Sequence, residues 1–128
     1  MLPRSRNSSL IAVIDDDISV RESVESLLKS VGFKVNTYSS AEEFMGSPRL
    51  DAADCLILDV RLDGMSGPDL QRELKAGGRS IPIVFVTAHE TEALRERMMA
   101  DGAIDCLLKP FNDDALLSAV DIALSTRG

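Results

Sequence analysis

The residues best able to do chemistry stand where short apolar runs give way to polar ones. Asp15, Asp16 and Asp17 follow "LIAVI", Asp59 closes "CLILD", Thr87 closes "IPIVFVT", and Lys109 closes "IDCLLK". Three like charges in a row repel one another, so they either face water or gather around a cation. Carboxylates brought together make a hard, all-oxygen site that suits Mg²⁺ or Mn²⁺ rather than a soft metal. A lysine ammonium adds a point charge suited to a phosphoryl oxygen, and a threonine adds a hydroxyl. Metal, ammonium and carboxylate nucleophile together meet the needs of phosphoryl transfer to an aspartate.

That chemistry requires elements that bring distant residues together. Five apolar runs recur, at 10–14, 34–38, 55–59, 81–87 and 104–109. The first, third, fourth and fifth are nearly continuous, as strands covered on both faces are, whereas "KVNTY" alternates like an edge strand. Helical spacing fills the gaps. Val20, Val24, Leu27, Leu28 and Val31 recur at steps of three and four before Gly32. Leu70 with Leu74, Leu94 with Met98, and Leu116 with Val120 and Leu124 repeat the pattern more weakly, and "AEEFMG" is the poorest helix. Alternation of strand and helix predicts an α/β domain, a doubly wound (βα)₅ unit with a five-stranded parallel sheet. In such sheets ligands bind outside the carboxyl ends of the strands. The aspartates, Thr87 and Lys109 all fall at those ends, while the edge strand offers only Tyr38 and Ser39.

The bulk properties bound the function. The chain has one domain's length, 128 residues, with 45% hydrophobic and 27% charged residues, as in a soluble globular protein. A net charge of −7 argues against direct nucleic-acid binding, which needs a basic face. The N-terminal "MLPRSRNSSL" lacks the long apolar region of a secretory signal, and no stretch approaches a membrane span. Cys55 and Cys106 lie in apolar runs without metal-type spacing and read as buried, reduced thiols, which places the protein in the cytoplasm. Residues 1–8 read as a flexible tail and 9–125 as the domain. Taken singly, each polar residue has an ordinary reading. "SVRE" (19–22) resembles a capping box, so Asp17 or Ser19 is a helix N-cap. Their convergence at four strand ends is what the ordinary readings leave out.

The order "IDDD", "LDVRLDGMSG", "FVTAH" and "LKPF" resembles the receiver domain of two-component response regulators, over residues 10–124. "VRLDGMSGPDLQREL" and "SAEEF" are most similar to the FixJ-like subclass, whose members usually add a LuxR-type helix-turn-helix output domain. The resemblance implies a flavodoxin-like (CheY-like) fold with strand order 2-1-3-4-5. It also implies a Mg²⁺ (or Mn²⁺) site in which Asp16 ligates directly, Asp15 acts partly through water, and Asp59 and the backbone carbonyl of Arg61 complete the set. Asp59 is then the phosphoacceptor, Thr87 the switch hydroxyl and Lys109 the phosphate-pairing lysine, followed by a cis bond to Pro110. A sensor histidine kinase or phosphotransfer protein is the implied donor. A homodimer through the face of the fourth helix, fifth strand and fifth helix is a further implied contact. The domain itself is expected to bind neither nucleic acid nor membrane, to regulate transcription through its output, and not to be an enzyme beyond self-phosphorylation and autodephosphorylation.

Three departures stand out. Asp63 replaces a proline common in the loop after the acceptor. Cys106 occupies the position of an aromatic that swings inward when Thr87 engages phosphate, and "AHETEALRERMMADGA" departs from the subclass in the fourth helix. Thr87, Ala88, His89 and Cys106 are the expected switch and tuning positions, with Arg61 and His89 flanking the path of attacking water. For His89, a solvent-exposed loop residue is the plainer alternative. Two other functions compete. A haloacid-dehalogenase-type phosphohydrolase would use Asp15 as nucleophile and leave Asp59 idle, and a pseudo-receiver would keep the fold without phosphorylation.

Overall fold

A computed structural model describes residues 9–89 and 91–127, so the expected tail at 1–8 lies outside the described residues. The elements alternate along the chain: β1 (Leu10–Ile14), α1 (Ile18–Ser30), β2 (Lys34–Tyr38), α2 (Ala41–Met45), β3 (Cys55–Asp59), α3 (Gly67–Ala76), β4 (Ile83–Thr87), α4 (Glu92–Ala100), β5 (Asp105–Leu108) and α5 (Asp113–Arg127). A single 3₁₀ turn, Leu50–Ala52, precedes β3. The strands form one parallel sheet in the order β2-β1-β3-β4-β5. The expected fold class, topology and edge position of β2 are all observed.

Burial on both faces explains the near-continuous apolar strands. Successive side chains point to opposite faces, so Ile11, Val13, Ile57 and Val84 meet one helical layer, with Leu28 of α1 and Leu116 of α5. Ala12, Ile14, Leu58 and Phe85 meet the other, with Phe44 of α2 and Met98 of α4. β1, β3 and β4 are buried along their whole length. Burying one such Leu or Phe side chain contributes about 1.5–3 kcal/mol.

Two expectations about strands need correction. β4 begins at Ile83, because Pro82 has no N–H to give the ladder, although its carbonyl accepts from Leu56 N at 2.9 Å. β5 spans only Asp105–Leu108 and is not covered on both faces: it is the second edge, and Leu108 is 53% exposed. Its apolar run looked like a central strand because Cys106 and Leu107 do pack inward, against opposite layers.

Helix starts follow side-chain capping. Asp17, not Ser19, caps α1, its carboxylate accepting from Ser19 N at 2.9 Å. Ser40 and Thr91 cap α2 and α4, and Ser66 with Asp69 forms a reciprocal capping box on α3. The weakest sequence pattern gives the shortest helix, the five residues of α2. Among the described residues, no helix is long and apolar enough to cross a membrane.

Candidate metal and phosphoryl site

The chain order reverses between β1 and β3, which lie side by side although α1, β2 and α2 separate them in sequence. A ligand crevice is expected at that point, beyond the carboxyl ends. Asp15 follows β1 there, and Asp59 ends β3. Parallel pairing of Ile14 with Leu58 brings the two termini level. Carboxylate oxygens of Asp15, Asp16 and Asp59 all lie within 4.8 Å of one another. Asp15 and Asp59 are buried, 1% and 6% exposed, whereas Asp16 faces solvent.

Lys109 completes the cluster from the end of β5. Its Nζ donates to Asp15 Oδ2 at 2.8 Å and to Asp59 Oδ2 at 3.3 Å. The following bond to Pro110 is cis, in agreement with the resemblance. The remaining oxygens are held by the main chain: Asp17 N donates to Asp15 Oδ1 at 2.9 Å, and Arg61 N to Asp59 Oδ1 at 3.2 Å. Asp59 is therefore the more loosely held carboxylate. Both of its bonds are at or beyond the long end of the usual N–H···O range, while those of Asp15 are near its centre.

The electrostatics match that geometry. Burial pushes the Asp59 carboxyl up from 3.8 to about 6, and the charge of Asp15 adds to the rise. Lys109 and the Arg61 N–H oppose it. Burial also works against the Lys109 ammonium, but its hydrogen bond and attraction to Asp15, with the charge of Asp59, outweigh that and hold its pKa above the ordinary value. A buried carboxylate pair compensated by one ammonium keeps a negative excess. Hard oxygen donors with such an excess fit a small divalent cation.

Thr87 is buried at the end of β4, but its hydroxyl is committed to its own loop. It donates to His89 O at 2.7 Å and accepts from His89 N at 3.2 Å. Among the described residues, no hydrogen bond joins that hydroxyl to Asp59 or to the Lys109 side chain. Thr87 meets Lys109 only through the main chain, Lys109 N donating to Thr87 O at 2.7 Å. Ala88, His89 and Arg61 are exposed at the mouth. Cys106 is apart from the cluster: it is buried beside Phe85 in the layer under α4. Arg95 of α4 donates to Cys106 O at 2.8 Å and lies 3.5 Å from the Asp105 carboxylate. Cys55 is also buried, and the two cysteines form no disulfide.

Three supporting residues were assigned no role from the sequence. Arg21 of α1 donates to Asp15 O at 2.7 Å, placing a guanidinium behind the acidic cluster. Glu42 of α2 accepts from Met65 N at 2.7 Å, in the loop after Asp59. Gly67 packs so tightly that a Cβ there would stand 2.4 Å from Asp59 O.

The domain is thus a doubly wound α/β fold with an acidic crevice at its switch point and a lysine across it. Residues 11–121 match the family model described as the response regulator receiver domain, and the chain belongs to that family. It is 42% identical over 120 residues to the response regulator protein TodT of Pseudomonas putida, covering 94% of this chain and 53% of that protein. It is 46% identical over 112 residues to nodulation protein W of Bradyrhizobium diazoefficiens, covering 88% and 49%. Among solved structures, response regulator StyR superposes with a TM-score of 0.87 at 44% identity, covering 94% of this chain and 61% of that one. A structure titled FixJ-N gives 0.82 at 30% identity, covering 91% and 94%. The chain thus spans about half the length of the curated relatives it matches. Family membership decides against the dehalogenase-type reading. The geometry agrees, since the oxygens of Asp15 are held at 2.9 Å and 2.8 Å, against 3.2 Å and 3.3 Å for those of Asp59, and its side chain is the more deeply buried.

Proposed function

We propose that this domain accepts a phosphoryl group on Asp59 and switches conformation in response. The single observation that carries the reading is the placement of Lys109 Nζ across both buried carboxylates, at 2.8 Å and 3.3 Å. Asp15, Asp16, Asp59 and the backbone carbonyl of Arg61 would hold a Mg²⁺ or Mn²⁺ ion. When bound, the ion neutralises charge on the transferring phosphoryl group. The Asp59 carboxylate attacks phosphorus, the P–N bond of a donor phosphohistidine breaks, and the leaving imidazole nitrogen takes up a proton. Lys109 leaves its bond to Asp15 in part to pair with the phosphoryl oxygens.

A raised pKa of about 6 leaves Asp59 mostly ionised at neutral pH yet more basic than an ordinary aspartate. Thr87 is the switch hydroxyl: it exchanges its bond to His89 O for a phosphoryl oxygen, and the loop at Ala88 and His89 moves with it. Arg61 and His89, exposed at the mouth, set phosphoryl lifetime by their access to the attacking water.

A protein donor, the histidine kinase or phosphotransfer protein, is supported by an apolar groove of about 500 Å³ between α1 and α5. Val20, Val24, Leu27, Phe111 and Leu116 line it, and Lys109 stands at its edge. Met99 on α4, Leu108 on β5 and Ile122 on α5 are large apolar side chains left exposed. They support that face as the readout surface, meeting an output module that controls transcription or a second copy of the domain. The setting is the cytoplasm, where kinase and receiver meet.

The test is intact-protein mass spectrometry after incubation with Mg²⁺ and acetyl phosphate. One added phosphoryl group that vanishes in Asp59→Asn is expected. An adduct that survives Asp59→Asn but is lost in Asp15→Asn would overturn the assignment, and no adduct from acetyl phosphate or a kinase would make the domain a pseudo-receiver.

A further inference from the structure

We infer that Glu42, on α2, is a positioning residue for the Asp59 site: it fixes the loop 60–66 that carries Arg61 beside the acceptor. The inference rests on the reading of Asp59, Asp15 and Asp16 as a divalent-metal and phosphoryl site. The loop is tied at its base, where Gly67 N donates to Val60 O at 3.0 Å. Beyond that tie, its sequence "RLDGM" contains no proline, and Gly64 adds freedom through a left-handed φ of 77°. Leu62 anchors the loop in the core, but the exposed turn at Asp63 and Gly64 has no such packing, and fixing it costs about 1–2 kcal/mol per residue.

The ends of the loop are tied to β4 and α3, Val60 N donating to Val86 O at 3.0 Å and Ser66 N to Asp69 Oδ2 at 3.3 Å. Among the described residues, the hydrogen bond that reaches it between those ends from α2 is the one from Met65 N to Glu42 Oε2, 2.7 Å long and 23 residues away in sequence. The carboxylate also lies flat against Gly64: a Cβ there would stand 2.5 Å from Glu42 Oε2 and 3.2 Å from its Cδ. Glu42 and Gly64 are therefore a matched pair, the bare backbone admitting the carboxylate that holds the next residue. Arg61 lies within the segment so fixed, and its N–H reaches Asp59 Oδ1 at 3.2 Å. Among the described residues, no hydrogen bond joins Glu42 to Asp15, Asp16 or Asp59. It acts through the loop, by keeping the Arg61 peptide in register with Asp59.

The effect should appear in metal affinity before it appears in stability, because Glu42 is exposed and buries little on folding. Partners outside the ligand set commonly change metal affinity by about 10–100-fold. Mg²⁺ titrated calorimetrically into the full chain should bind about 10-fold more weakly in Glu42→Ala. Glu42→Gln, whose amide oxygen can accept the same bond, should stay within about twofold of the parent chain. Amide exchange at Met65 should quicken in Glu42→Ala alone. Unchanged Mg²⁺ affinity in Glu42→Ala would overturn the inference while leaving the site intact. Equal weakening by Ala and Gln would also overturn it, because the charge rather than the bond would then be acting. Failure of the parent chain to bind Mg²⁺ would remove the underlying reading of the site, and the inference with it.

Discussion

Lys109 Nζ lies nearer to Asp15, at 2.8 Å, than to Asp59, at 3.3 Å. The ammonium that partly compensates the crevice is thus held chiefly by Asp15 rather than by Asp59. Asp59 keeps the weaker partner and a carboxyl pKa raised to about 6. The arrangement leaves Asp59 both mostly ionised at neutral pH and loosely engaged.

Removing the lysine should expose what it compensates. Lys109→Met leaves two buried carboxylates, at 1% and 6% exposure, without their cation. Breaking a buried pair this way costs about 3–5 kcal/mol. Urea denaturation in a chelator should show that loss at pH 7.5 and a smaller one at pH 5, where a carboxyl can protonate. A loss below about 1 kcal/mol at pH 7.5 would mean that water already compensates the pair.

Asp59 should make the metal-free domain less stable as pH rises. Its folded pKa, about 6, exceeds its ordinary 3.8, so the folded state binds the proton more tightly. The resulting stabilisation is full below about 3.8 and is lost as pH rises through about 6. Asp59→Asn carries no such loss, and Lys109 keeps Asp15 as a partner. The variant should therefore gain on the parent chain as pH climbs from 4 to 7, by about 1–2 kcal/mol once solvent screening is allowed for. Paired denaturation curves without metal check this, and a difference independent of pH would refute it.

Gly67 should tolerate no side chain. A Cβ would meet Asp59 O at 2.4 Å, Phe85 at 3.0 Å and Val60 Cα at 3.1 Å, and two of these are backbone atoms of the Asp59–Val60 segment. Gly67→Ala should cost about 1–3 kcal/mol, as overpacking does. Because the clash falls on Asp59, phosphoryl acceptance should slow even at temperatures where the variant is folded. Thermal melts beside timed acetyl phosphate reactions would separate the two effects.

The local pattern of the chain determined most of the architecture. Apolar runs bounded by charge mark β1, β3 and β4, since strands buried on both faces leave no room for polar alternation. Once alternation with helices makes the sheet parallel, Asp15, Asp59, Thr87 and Lys109 must share one end of it. Tertiary packing decided what no run of residues encodes. Whether an apolar strand is central or an edge depends on its neighbours, so β5, with Leu108 exposed, was misread as fully covered. The lean of Lys109 toward Asp15, the turn of Thr87 onto His89 and the reach of Glu42 to Met65 are set by side chains meeting across the fold. Such contacts follow from distances of a few ångströms between residues far apart in sequence, where hydrophobic periodicity carries no information.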